Sequence, residues 1–106
     1  MKKIVEMTKE LLNYIEEMTD CLYQNKEKEG YVLLNTVIVK MEQVLGEIIS
    51  YQKVNSLRIV DEEKLLGAVE EAFKAMQEKD SVLIADIFSY DIKEQLELMI
   101  ETNRMN

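Results

Sequence analysis

The stretch SVLIADIFSYDIKEQLELMI, residues 81–100, decides the fold of this chain. At the helical repeat of about 3.6 residues per turn, one continuous apolar stripe contains Ile84, Ala85, Phe88, Ile92, Leu96 and Met99. A second apolar stripe, offset from the first, contains Leu83, Ile87, Tyr90 and Leu98. A helix at a protein surface needs only one apolar face. The stretch therefore predicts a helix that lies centrally in a bundle or against a second molecule.

Three earlier segments repeat apolar residues at the same helical spacing. They predict helices at about 3–24, 30–54 and 61–78. The chain has no proline and only three glycines, so few residues would interrupt a helix. The sequence predicts an all-α fold, a four-helix up-down bundle.

The helices group into two hairpins within a single domain, residues 1–106. Hairpin 1 covers about 3–54 and hairpin 2 about 61–102, and a chain of this length is sufficient for one hydrophobic core. Thr102 to Asn106 should fray, as chain ends commonly do.

The two hairpins resemble each other in sequence. Residues 11–17, LLNYIEE, match residues 65–71, LLGAVEE, and residues 32–34, VLL, match residues 82–84, VLI. A lone helical hairpin cannot bury its apolar stripe, whereas two packed together can. Duplication of one αα-hairpin and chance similarity between amphipathic helices both explain the match.

The charge of the chain excludes several classes of partner. Its net charge is −8, and residues 61–101 hold twelve acidic and four basic residues, so that span alone carries −8. A field of this sign repels phosphate backbones and anionic lipid heads. We therefore expect no binding to nucleic acid and none to membranes.

The sequence also indicates a cytoplasmic location. No apolar run approaches the length of a membrane span, and charged residues interrupt any signal-peptide core after Met1. The single cysteine, Cys21, excludes an intrachain disulfide, and a small buried hydrophobe is its ordinary reading.

Catalytic chemistry has few candidate residues in this chain. The sequence has no histidine, which removes the usual general base and the Glu-x-x-His motif of di-iron bundles. Acids one helical turn apart would suit magnesium; they are Glu17 with Asp20, and Asp91 with Glu94 and Glu97. This spacing resembles that of all-α nucleotide pyrophosphohydrolases, although the order differs and no basic cluster would hold a triphosphate. We expect no enzyme activity, no catalytic residue, no metal ligand and no cofactor.

Asp86 is a candidate buried polar residue, because apolar residues flank it on both sides. If buried, it would need Lys, Arg, Tyr or a backbone donor as its partner. If exposed beside Ser89 and Lys93, it is a solvated charge.

The segment from Lys79 to Asp91, KDSVLIADIFSYD, resembles a K-D-x-V-L-x-A-D-[IL]-[LF]-x-Y-[DE] pattern of small uncharacterised bacterial helical proteins. That resemblance implies an all-helical fold and no particular activity. In size, acidity and number of helices, the whole chain is similar to the export chaperones of flagellar and related secretion systems. The second resemblance implies a protein that binds a client helix.

These observations favour a non-catalytic bundle that works by protein–protein interaction, either with a protein partner or with itself as a homodimer. The candidate interface is the second stripe of the fourth helix: Leu83, Ile87, Tyr90 and Leu98. A chaperone or adaptor that binds a client helix is one alternative, and a magnesium-dependent nucleotide phosphohydrolase is another.

Overall fold

A computed structural model describes residues 1–103 as four helices and no strand, which confirms the predicted all-α four-helix bundle. The first three helices are α1, Lys2–Tyr23; α2, Glu27–Asn55; and α3, Glu62–Gln77. The fourth, α4, covers 81–103 in three consecutive segments, which are Ser81–Asp86, a π-helical segment Ile87–Ile92, and Lys93–Asn103. In the described range, no helix is both long enough and apolar enough to span a membrane.

The four helices form an elongated bundle of 42 × 22 × 19 Å in which α4 has a central place. α1 packs against α2 on one side and against α4 on the other, and α3 packs against α4. α2 and α3 have at most marginal backbone contact with each other. The largest side chains with no exposure include Phe88 of α4, Leu11 of α1 and Ile84 of α4. The predicted first stripe of α4 is entirely buried.

The connection between α1 and α2 is shorter than the sequence predicts. α2 begins at Glu27 rather than near Gly30, so Gly30 lies in the first turn of the helix. A β-carbon added to Gly30 would stand 2.5 Å from Cδ2 of Leu22, which is itself buried in the core. The polar residues of this segment read as a loop, but the close approach of α1 and α2 here requires a glycine inside the helix.

The connection between the two hairpins is held by one side chain that the sequence does not single out. Gln52 of α2 is buried, and its Oε1 accepts hydrogen bonds from the backbone N–H groups of Ile59 (2.7 Å) and Val60 (3.2 Å). Its Nε2 donates to a carboxylate oxygen of Glu62 at the start of α3. Gln52 therefore satisfies two buried backbone donors, which would otherwise cost about 1–3 kcal/mol each.

The π-helical segment changes the course of α4. The Lys93 N–H donates to the carbonyl of Phe88, five residues earlier in the chain, whereas an α-helix joins residues that are four apart. On a regular α-helix, four-residue steps drift by about 40° around the axis, and the buried residues Ile84, Phe88, Ile92 and Leu96 follow such steps. The wider turn of the π segment opposes that drift. The four side chains therefore stay on the line that faces the core.

The end of α4 is more ordered than predicted. The helix continues to Asn103, whose Nδ2 donates to the Met99 carbonyl at 2.8 Å and to the Ile59 carbonyl at 3.5 Å. Fraying is therefore wrong for Thr102 and Asn103, because this amide bonds the helix end to the connection between the hairpins. Residues 104–106 of that prediction lie outside the described residues.

Two glycine-to-alanine substitutions, one of which is a control in α3, test the packing of α1 against the start of α2. Gly30→Ala should lower the free energy of unfolding by about 1–3 kcal/mol, because the new methyl group clashes with Leu22 in a packed core. Gly67→Ala, within α3, should raise it by about 1 kcal/mol, because a β-carbon there meets no atom within 4 Å. Urea unfolding followed by circular dichroism measures both. Equal or greater stability of Gly30→Ala would contradict the close approach.

Candidate functional site

The predicted interface on α4 is only partly at the surface. Leu83, Tyr90 and Leu98 are 40%, 66% and 54% exposed, and we call these three the α4 strip. Ile87 is only 5% exposed and belongs to the hydrophobic core, so its inclusion in a partner surface is corrected. The cause is the central place of α4: both α1 and α3 pack against the segment Ile87–Ile92, and Ile87 lies one helical turn from the buried Ile84.

Acidic residues surround the α4 strip. Asp91, Glu94, Glu97 and Glu101 are all exposed on the same part of α4, and the sequence places only Lys93 among them. Exposed carboxylates at such positions repel a second negatively charged surface. The α4 strip is therefore apolar in its own side chains but not in its surroundings.

A second exposed surface lies along the outer side of α2, which we call the α2 strip. At about 100° per residue its members share one face of the helix, and each of them is exposed: Val32, Asn35, Val39, Gln43, Gly46 and Ser50. None of the six carries a charge, and Val32 and Val39 are 63% and 55% exposed. The sequence pattern does not single out this surface, because its polar members resemble an ordinary solvated face.

Asp86 is half-buried and has the kind of partner that the sequence requires of it. The Tyr23 hydroxyl, at the last residue of α1, donates to Oδ1 of Asp86 at 2.6 Å. Asp86 is thus neither fully buried nor simply solvated. The bond connects α1 to α4 at the residue that precedes the π segment.

This hydrogen bond alters the acidity of the phenol. Partial burial of the Tyr23 ring raises the pKa of its hydroxyl above 10.0, and the hydrogen bond and negative charge of Asp86 raise it further. A hydrogen bond with Ser89 acts in the opposite direction, and the net pKa is raised. The protonated phenol is therefore favoured in the folded chain.

The acidic pairs do not converge on a metal site. Within residues 1–103, no three Asp, Glu, Cys or His side chains lie close enough together to hold a metal ion. Asp91 and Glu94 instead line a shallow groove between α3 and α4, together with Glu63, Glu71 and Lys64.

Two buried threonines of α1 were missed by the sequence reading. Thr8 and Thr19 lie on the same flank of α1 as Tyr23, and their hydroxyls donate to the carbonyls of Ile4 (2.7 Å) and Glu16 (3.1 Å) in their own helix. Both hydroxyls are therefore satisfied within α1 although the side chains are buried. A threonine that lies among polar residues in the sequence gives no sign that its side chain is buried.

A model of a protein family described as "Domain of unknown function (DUF8042)" matches residues 1–102. No curated protein and no solved structure matches the chain. The likeness of Lys79–Asp91 to small bacterial helical proteins stays a prediction.

Titration of Tyr23 tests its bond to Asp86. We expect the Tyr23 phenol to ionise above pH 10.0 in the native chain, and the substitution Asp86→Asn to lower its pKa toward the ordinary value. The bond stabilises the fold fully below pH 10.0, and this stability declines at higher pH because the unfolded chain loses the phenolic proton first. Tyrosinate absorbance measures the ionisation. Comparison with Tyr23→Phe shows which part of the absorbance change of the five tyrosines comes from Tyr23. An unchanged Tyr23 transition in Asp86→Asn would contradict the assigned bond.

Proposed function

The chain belongs to the DUF8042 family, and from this premise we propose that it is a non-catalytic bundle that acts by protein–protein interaction as a homodimer. The expected location is the cytoplasm. Its binding surface would be one of the exposed apolar surfaces of the helices.

One observation carries this proposal. Of the twelve exposed large apolar side chains in the described residues, α2 carries four (Val32, Val39, Ile49 and Val54), α4 carries four (Val82, Leu83, Tyr90 and Leu98), and α3 carries two (Leu66 and Phe73). Both α2 and α4 already bury a complete apolar stripe in the core. A helix with one buried face needs no further apolar side chains on its outer side. Contact with another molecule would cover them.

A chaperone or adaptor is the second candidate, and the same exposed side chains favour it. An amphipathic client helix would cover the surface that a second copy covers in the homodimer. The two candidates differ in what the isolated chain does, since a homodimer completes its interface without any client.

Light scattering separates the two candidates. The purified chain should elute with a mass near twice its 12.4 kDa and should dissociate on dilution with a single equilibrium constant. A monomer that binds amphipathic helical peptides would contradict the homodimer and support the adaptor. A monomer that binds none of them would contradict both candidates.

A further inference from the structure

We propose that a second copy of this chain docks on the α2 strip, the uncharged outer surface of α2, rather than on the α4 strip. This inference rests on the proposed homodimer and assigns its interface. The proposed occupant of the α2 strip is a second copy of this chain, and the distribution of charge over the molecule determines which faces of two copies can meet.

The two halves of the molecule differ sharply in charge. Residues 61–101, which contain α3 and most of α4, account for a net −8, whereas residues 1–60 contain nine acidic and eight basic residues and are nearly neutral. Two copies that meet through α3 or α4 bring their excess negative charge together. Two copies that meet through the α1–α2 half keep it apart.

The centre of α2 is the least charged part of that half. Between Val32 and Ser50 the sequence has three ionisable residues, Lys40, Glu42 and Glu47. Lys40 bonds to Glu10 of α1 at 2.6 Å, and Glu47 bonds to Lys3 of α1 at 3.2 Å, so each is neutralised within the chain.

Lys40 and Glu47 lie on the flank of α2 that faces α1, and Glu42 lies on the other edge of the α2 strip. No ionisable side chain therefore lies within the strip itself. A matching uncharged strip on a second copy can cover it without burying an unpaired charge, which would otherwise be costly.

The shape of the α2 strip suits close packing of a second helix. Its six residues extend over about 27 Å of helix, at a rise of about 1.5 Å per residue. A β-carbon added to Gly46 would meet nothing within 4 Å, so the backbone of α2 is open there to a side chain from outside. Small residues at a helix surface allow a partner to approach closely, and Val32 and Val39, both N-terminal to Gly46, provide apolar contact.

The α4 strip offers a second copy a less favourable surface. A two-fold contact through it would bring together the exposed acids of both molecules: Asp91, Glu94, Glu97 and Glu101 of each copy. The burial of Ile87 also divides its apolar surface between Leu83 and Tyr90.

Two matched substitutions test the assignment. Val39 of the α2 strip and Leu98 of the α4 strip are 55% and 54% exposed, so a glutamate at either position adds the same charge at equal exposure. Val39→Glu should raise the dimer dissociation constant at least about tenfold. Leu98→Glu should change it by less than about threefold. Analytical ultracentrifugation of the full chain measures both, and circular dichroism shows whether each variant is folded.

Asn35→Glu extends the test to a residue with no apolar contact to lose. It should also weaken the dimer at least about tenfold, because a charge would be buried in the same interface. A wild-type dimer that both Val39→Glu and Asn35→Glu leave intact would overturn this inference alone, and so would a dimer that only Leu98→Glu dissociates. A wild-type chain that is monomeric at every concentration would overturn the proposed homodimer as well.

Discussion

The burial of one line of side chains on α4 is the constraint on which the rest of the bundle depends. Phe88, Ile92 and Leu96 have almost no exposed surface, and both α1 and α3 pack against the helix that carries them. On a regular α-helix their four-residue spacing would drift by about 40° per step, and the wider turn of the π-helical segment Ile87–Ile92 opposes that drift. The hydrogen bonds of a π-helix are less favourable than those of an α-helix. The burial of the three large side chains offsets this loss of free energy.

The sequence predicts the helices well because their apolar spacing is strong and uninterrupted. The buried stripe of α1, from Ile4 to Leu22, and that of α4 are both present in the structure. The sequence predicts Ile87 incorrectly because a helical wheel shows which residues share a face but not how many helices cover that face, and both α1 and α3 pack against the segment Ile87–Ile92. The burial of Gln52 and Thr8 could not be recognised, since a polar residue within a helical pattern gives no sign of which other elements pack over it.

The burial of Ile87 in the core also affects which surface is free to bind a partner. With Ile87 in the core, the outer side of α4 keeps separated apolar side chains among exposed carboxylates. The outer side of α2 keeps exposed valines among uncharged residues, and two of the three charges beside them, Lys40 and Glu47, are paired with α1. Packing inside one helix and the division of charge between the two hairpins thus favour the same surface. Periodicity alone favours the other one, because it counts apolar residues without counting the charges beside them.

Thiol accessibility at residue 87 is the most direct test of this packing. In a Cys21→Ser background, Ile87→Cys should react with a thiol reagent at least about a hundredfold more slowly than Tyr90→Cys, because reaction at residue 87 requires local opening of the core. Equally fast reaction at both positions would show that residue 87 lies on the outer face of α4. That result would contradict both the enclosure of α4 between α1 and α3 and the preference for α2 over α4.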